Sequence, residues 1–129
     1  MVLADERRRL DELTEKVIGA AHEVSNTLGS GFLERVYENA LAQELRDRNL
    51  GVAQQQQLQV RYKGTVVGDY QADLIVEGAV ILELKAVKSL DEVHAAQCLN
   101  YLKATGLHVC LLLNFGKPRL EVRRVVIGF

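Results

Sequence analysis

Within the run ILELKAV a carboxylate at Glu83 and an amine at Lys85 stand two residues apart, and a second carboxylate, Asp73, lies ten residues upstream. Side chains alternate along a strand, so Glu83 and Lys85 share a face while Leu82, Leu84 and Ala86 point the other way. Asp73 and Glu83 are symmetric about Gly78. An antiparallel hairpin pivoting on that glycine sets the two acids opposite each other. A strict two-residue turn at Glu77-Gly78 would instead pair Asp73 with Leu82 and send Glu83 to the other face, so the arrangement requires a three-residue loop or a bulge. Facing carboxylates repel unless a cation lies between them, and Mg²⁺ or Mn²⁺ prefers such oxygens together with a phosphate. Lys85 beside them could orient or help deprotonate a water while the metal polarises a phosphodiester. An ordinary Glu–Lys pair on an exposed strand face meets the same spacing, and spacing by itself leaves that reading open.

These residues need a scaffold, and the hydrophobic periodicity predicts one. Leu10, Leu13, Val17, Ala20, Ala21, Val24 and Leu28 recur at helical spacing, which predicts an amphipathic helix over residues 5–28. Gly29 and Gly31 end it, and Leu33, Tyr37, Leu41 and Leu45 form the stripe of a second helix that stops at Asn49 to Gly51. From Val52 the period changes to two. Residues 52–87 read as a three-stranded antiparallel meander with turns at Lys63-Gly64 and Glu77-Gly78. The glutamine run at 54–57 reads as a polar stretch entering an edge strand. Ser89 with Glu92 has the spacing of a capping box, so a third helix follows to about Thr105, with Val93, Ala96, Leu99, Tyr101 and Leu102 as its apolar positions. The continuous apolar run LHVCLLLNF is a strand buried on both faces, and RLEVRRVVI is a last strand. The predicted order is ααβββαββ. A helix between the third and fourth strands permits a crossover that makes that pair parallel in a mixed sheet.

A chain of 129 residues suits one domain with its own core. Its apolar fraction of 48% and charged fraction of 26% are those of a globular protein, and no stretch is long enough to span a bilayer. The charged start MVLADERRRL lacks a secretory core, so a cytoplasmic location is expected. Cys98 and Cys110 lie in apolar periodic segments and read as buried free thiols. A formal charge of −1 argues against a protein that coats nucleic acid electrostatically, so polyanion binding must be local.

The segment GFLERVY, with Gly31, Glu34 and Tyr37, resembles the signature of the GxxExxY proteins, a small branch of the PD-(D/E)XK nuclease superfamily. The resemblance runs from about residue 10 to 127 through GDYQADLIVE, ILELKAV, HAAQCLNYLKATGL and LLLNFGKPRLE. It implies a restriction-endonuclease-like α/β core over about residues 31–127, within a single domain that also holds the N-terminal helix. It also implies a metal held by Asp73, Glu83, the Leu84 carbonyl and Glu34, with Lys85 as the lysine of the (D/E)XK element. With Gly31 as N-cap, Glu34 falls at the third helical position, where a carboxylate also favours the open amides and the helix dipole. Gln97 and Tyr101 have the QxxxY spacing of the RecB-like branch, and with Tyr37 they are expected along the substrate path. Packing is an alternative for Tyr101, and His94 reads as a surface residue. Ala72 stands where the superfamily name has proline, and that branch carries histidine where this chain has Glu34. Two cysteines are too few for its Fe–S cluster, so none is expected.

The function implied is Mg²⁺- or Mn²⁺-dependent hydrolysis of phosphodiesters, in DNA rather than RNA. The alternative is a catalytically silent module of the same fold that binds nucleic acid or protein. The partners implied are nucleic acid and no membrane, with self-association as a homo-oligomer allowed.

Overall fold

Helix α1 (Ala4–Leu28) buries the stripe Leu10, Val17, Ala20, Ala21 and Val24, and α2 (Glu34–Asp47) buries Tyr37, Leu41 and Leu45 beside it. This is a computed structural model, and it describes residues 2–129. Strands β1 (Val52–Tyr62), β2 (Thr65–Val76) and β3 (Val80–Lys85) follow, then α3 (Glu92–Thr105), β4 (Val109–Asn114) and β5 (Glu121–Val126). The five strands form one mixed sheet in the order β1-β2-β3-β4-β5. Its neighbours are antiparallel except β3 and β4, which run parallel because α3 carries the chain back across the sheet between them.

The alternation of side chains divides the core into two layers. Leu74, Val76, Val80, Leu82 and Leu84 pack with α1 and α2 on one face. Ile75, Ile81 and Leu112 pack with Cys98, Tyr101 and Leu102 of α3 on the other. Each layer buries large aliphatic side chains, which is the main favourable term holding helices to sheet. Among the described residues no helix is long and apolar enough to cross a membrane.

The turn between β2 and β3 decides which residues meet. Val76 pairs with Val80, leaving Glu77, Gly78 and Ala79 as a three-residue loop. Glu77 and Gly78 both have positive φ, and the Ala79 amide closes the turn on the Val76 carbonyl. Residue numbers across this hairpin are therefore symmetric about Gly78.

Two helix starts differ from expectation. The N-cap of α2 is Leu33 and not Gly31, so Glu34 is the first helical residue and not the third. The capping box of α3 is Asp91 with His94 in place of Ser89 with Glu92. The Asp91 carboxylate accepts from the amides of Val93 at 2.9 Å and His94 at 3.4 Å, while the His94 ring accepts from the Asp91 amide at 3.2 Å. A carboxylate placed directly before the first turn serves two open amides at once, which Ser89 cannot do from further out. In α3, Val93 is exposed, and Cys98, Tyr101 and Leu102 carry the burial.

Candidate active site

The ladder between β2 and β3 stops at Leu74 and Leu82, and the next residues along the two strands are Asp73 and Glu83. Here side chains replace the ladder. The Asp73 amide donates to Glu83 Oε1 at 3.3 Å, and the Leu84 amide donates to Asp73 Oδ2 at 2.8 Å. Each acid thus takes the backbone amide that the separating strands leave open. On the other side of β2, Gln54 pairs with Leu74 and Gln56 with Ala72, which leaves Gln55 abreast of Asp73 with a φ of +50°. One row across the sheet therefore holds Gln55, Asp73 and Glu83.

Glu83 is buried, with 3% of its surface exposed, while Asp73 is half-buried. Burial, and next the charge of Asp73, push the Glu83 carboxyl up to about 9. Burial also pushes the Tyr101 hydroxyl up to about 12, followed by the charges of Glu83 and Asp73, so this tyrosine lies within the field of both acids. Lys85, one turn of the pleat beyond Glu83, donates from Nζ to Gln97 Oε1 at 3.4 Å. Gln97 Nε2 in turn donates to the Tyr101 hydroxyl at 3.0 Å. The lysine is thereby linked through one amide to the tyrosine one turn along α3.

The backbone of Leu84 also faces the acids. Lys85 presents its carbonyl to β4, where the Phe115 amide donates to it at 2.8 Å. Backbone groups alternate along a strand, and the Leu84 amide points to β2; its carbonyl points the same way. Two carboxylates and this carbonyl form an all-oxygen donor set, the kind that a hard divalent cation such as Mg²⁺ or Mn²⁺ takes together with waters and a phosphate. The set also suits a cation electrostatically, because a positive charge favours the ionised Glu83 that burial, and next the charge of Asp73, disfavour. Among the described residues no group of three or more His, Cys, Asp or Glu side chains could hold a metal.

Helix α2 enters the cluster through an acid that the motif does not name. Glu38 is buried and accepts from Gln55 Nε2 at 2.7 Å and from Gln54 Nε2 at 3.0 Å. The same Gln55 amide reaches Asp73 Oδ1 at 3.5 Å, so it bridges the two acids. Arg35 lies 3.7 Å from Glu38. Glu34, one turn earlier, is exposed, and the structure does not bring it into this network. The sequence carried a sign of Glu38, an acid three residues before Leu41 and seven before Leu45 on the apolar stripe. Gln55 had no such sign, since its unusual φ is not legible in a run of glutamines.

Tyr37 is not on a substrate path. It is 1% exposed and stacks on Phe115 at 4.8 Å, and its hydroxyl donates to the Gly29 carbonyl at 2.6 Å while accepting from the Phe32 amide at 3.1 Å. Both hydrogen-bonding roles are used, so this residue pins the loop between α1 and α2. His94 caps α3, and Cys98 and Cys110 are buried and free.

A family model of the PD-(D/E)XK nuclease superfamily matches residues 11–125. Among curated proteins there is no sequence match to this chain. In structure the chain is similar to the crystal structure of SSO0001, with a TM-score of 0.55 and 15% identity over 74% of this chain. It spans 50% of the length of that chain. It is also similar to an alkaline exonuclease (LHK-Exo) from Laribacter hongkongensis, with a TM-score of 0.52 and 12% identity over 98% of this chain and 72% of the other. At these identities the likeness is one of fold.

Proposed function

The chain belongs to the PD-(D/E)XK nuclease superfamily, and from that membership we propose that it hydrolyses phosphodiester bonds of nucleic acid, DNA in preference to RNA, with a bound divalent cation. The observation that carries this reading is the meeting of Asp73 and Glu83 where β2 parts from β3, with Lys85 on the adjoining position. Asp73, Glu83 and the Leu84 carbonyl hold Mg²⁺ or Mn²⁺. When bound, the cation supplies Lewis-acid polarisation of the scissile phosphate and offsets charge on the departing oxygen.

The other roles fall to the chain's own side chains. Lys85, tethered to Gln97, orients the attacking water and places a positive charge against the phosphate. Tyr101 receives its hydrogen bond from Gln97, which leaves its own O–H free to donate toward the substrate. Gln55 and Glu38 are positioning residues: the amide that joins them also steadies Asp73 Oδ1.

The test is incubation of the chain with single-stranded DNA, duplex DNA and RNA in Mg²⁺ or Mn²⁺, beside Asp73→Ala and Lys85→Ala. Metal-dependent cleavage by the parent chain, reduced at least about a hundredfold in each variant, is expected for loss of a charge-stabilising group. Binding without cleavage, unchanged by either substitution, contradicts it and leaves a silent binding module.

A further inference from the structure

We infer that the groove between the β1–β2 ribbon and α3 seats an unpaired stretch of nucleic acid, with a base stacked on Tyr70, and delivers it to the acid pair. This rests on the proposed nuclease reading for where the strand is led, though not for its binding. The groove has a volume of about 820 Å³ and is lined at its inner end by Gln97 and Tyr101. Those two residues are hydrogen-bonded to each other, and Gln97 is bonded to Lys85, so the groove opens directly beside the candidate site.

Its lining suits a base and a phosphate together. The Tyr70 ring is 50% exposed and sits 5.9 Å from that of Tyr101 at 56°. Val93 lines the same groove from α3 and is 74% exposed, an apolar contact without a partner in the chain. Arg61 and Lys103 supply positive charge, and among the described residues none of the lining is acidic. Arg61 is held at this place by donation to the Gly64 carbonyl at 3.3 Å and to Gln59 Oε1 at 3.1 Å. The contrast lies in a more polar hollow of about 860 Å³ further along the same ribbon, which has Glu77 in its lining and no cation. In a chain of net charge −1, a groove with two cations, no acid and a half-exposed aromatic ring is complementary to a polyanion that carries flat apolar rings. A base inside a duplex has both faces covered by its neighbours, so only an unpaired nucleotide can offer one to Tyr70.

The test is binding of a single-stranded oligonucleotide containing 2-aminopurine, followed by anisotropy and by quenching of its fluorescence, in EDTA so that cleavage does not intervene. The parent chain and Tyr70→Phe are expected to bind and quench alike, while Tyr70→Ala loses about tenfold in affinity together with the quench. A duplex of the same sequence is expected to bind equally to all three. Lys103→Ala should flatten the slope of log affinity against log salt by about 0.7. Equal binding by Tyr70→Ala, no binding of the single strand, or a duplex that depends equally on Tyr70 each overturns the inference. Tyr70-dependent binding without any metal-dependent cleavage upholds this groove and removes the nuclease reading. Metal-dependent cleavage with binding indifferent to Tyr70 does the reverse.

Discussion

Glu83 keeps a proton in the folded chain at pH values where an exposed glutamate has lost it, because burial and then the charge of Asp73 push its carboxyl from 4.5 up to about 9. Across that window the unfolded chain binds fewer protons than the folded one, so stability must fall as pH rises from about 4.5 to about 9. Glu83→Gln removes the titrating group and its share of the slope. Urea unfolding from pH 5 to 9 should show the variant gaining on the parent chain with pH, by about 2–4 kcal/mol at the upper end. A difference that stays constant with pH would show that Glu83 is ionised in the folded chain. The encounter of this acid with Asp73 was legible in the sequence, since both lie symmetrically about Gly78. The place of Tyr37 was not: a residue of the signature was expected near the substrate, whereas its ring fills the core against Phe115. Motif membership does not distinguish a residue that touches substrate from one that holds the loop carrying the motif.

The strand ends position the lysine. Beyond Lys85 the chain is fastened by Asn114, whose fully buried amide donates to the Val87 carbonyl at 3.0 Å and to Glu121 at 3.0 Å. Its oxygen accepts from the amides of Val87 and Gly116 at 3.0 Å each. A Cβ on Gly116 would lie 2.4 Å from the Val87 backbone, so the β4–β5 connection passes this segment at closest approach. Asn114→Ala leaves the half-buried Val87 amide and carbonyl and the Gly116 amide without this partner and should cost about 2–4 kcal/mol in urea unfolding. A loss below about 0.5 kcal/mol would mean that water replaces the side chain without cost, and that this clamp does not set the position of Lys85. The elements themselves were readable because helices and strands repeat their apolar residues at different periods. Their starts were not, because Leu33 offers no side-chain cap and because Asp91, unlike Ser89, takes two amides. The hinge of the site was readable only as a condition: a three-residue loop aligns the acids and a two-residue loop parts them.

For the molecule as a whole, the sheet separates two jobs. One face is closed by α1 and α2, and the other carries α3 with Gln97 and Tyr101 over the acid row. Both basic residues of β5 are engaged elsewhere, Arg123 with Glu92 at 3.2 Å and Arg124 with Asp11 at 2.7 Å, and Lys117 of the β4–β5 connection lies 3.9 Å from Glu121. Under the proposed function, contact with a polyanion therefore falls to local cations beside the site. The order of elements and the parallel pair followed from pattern and chain length. The link from Glu38 through Gln55 to Asp73 did not, because it joins three elements at a backbone distortion that no period encodes. A divalent cation held by Asp73 and Glu83 in the folded chain alone must raise the thermal midpoint. The direct measurement is thermal unfolding at pH 8 over a titration of Mn²⁺, for the parent chain and for Asp73→Ala. The midpoint should climb with Mn²⁺ by about 3–6 °C in the parent chain and stay level in the variant if the two acids hold the ion. An equal rise in both, or none in either, would contradict that assignment.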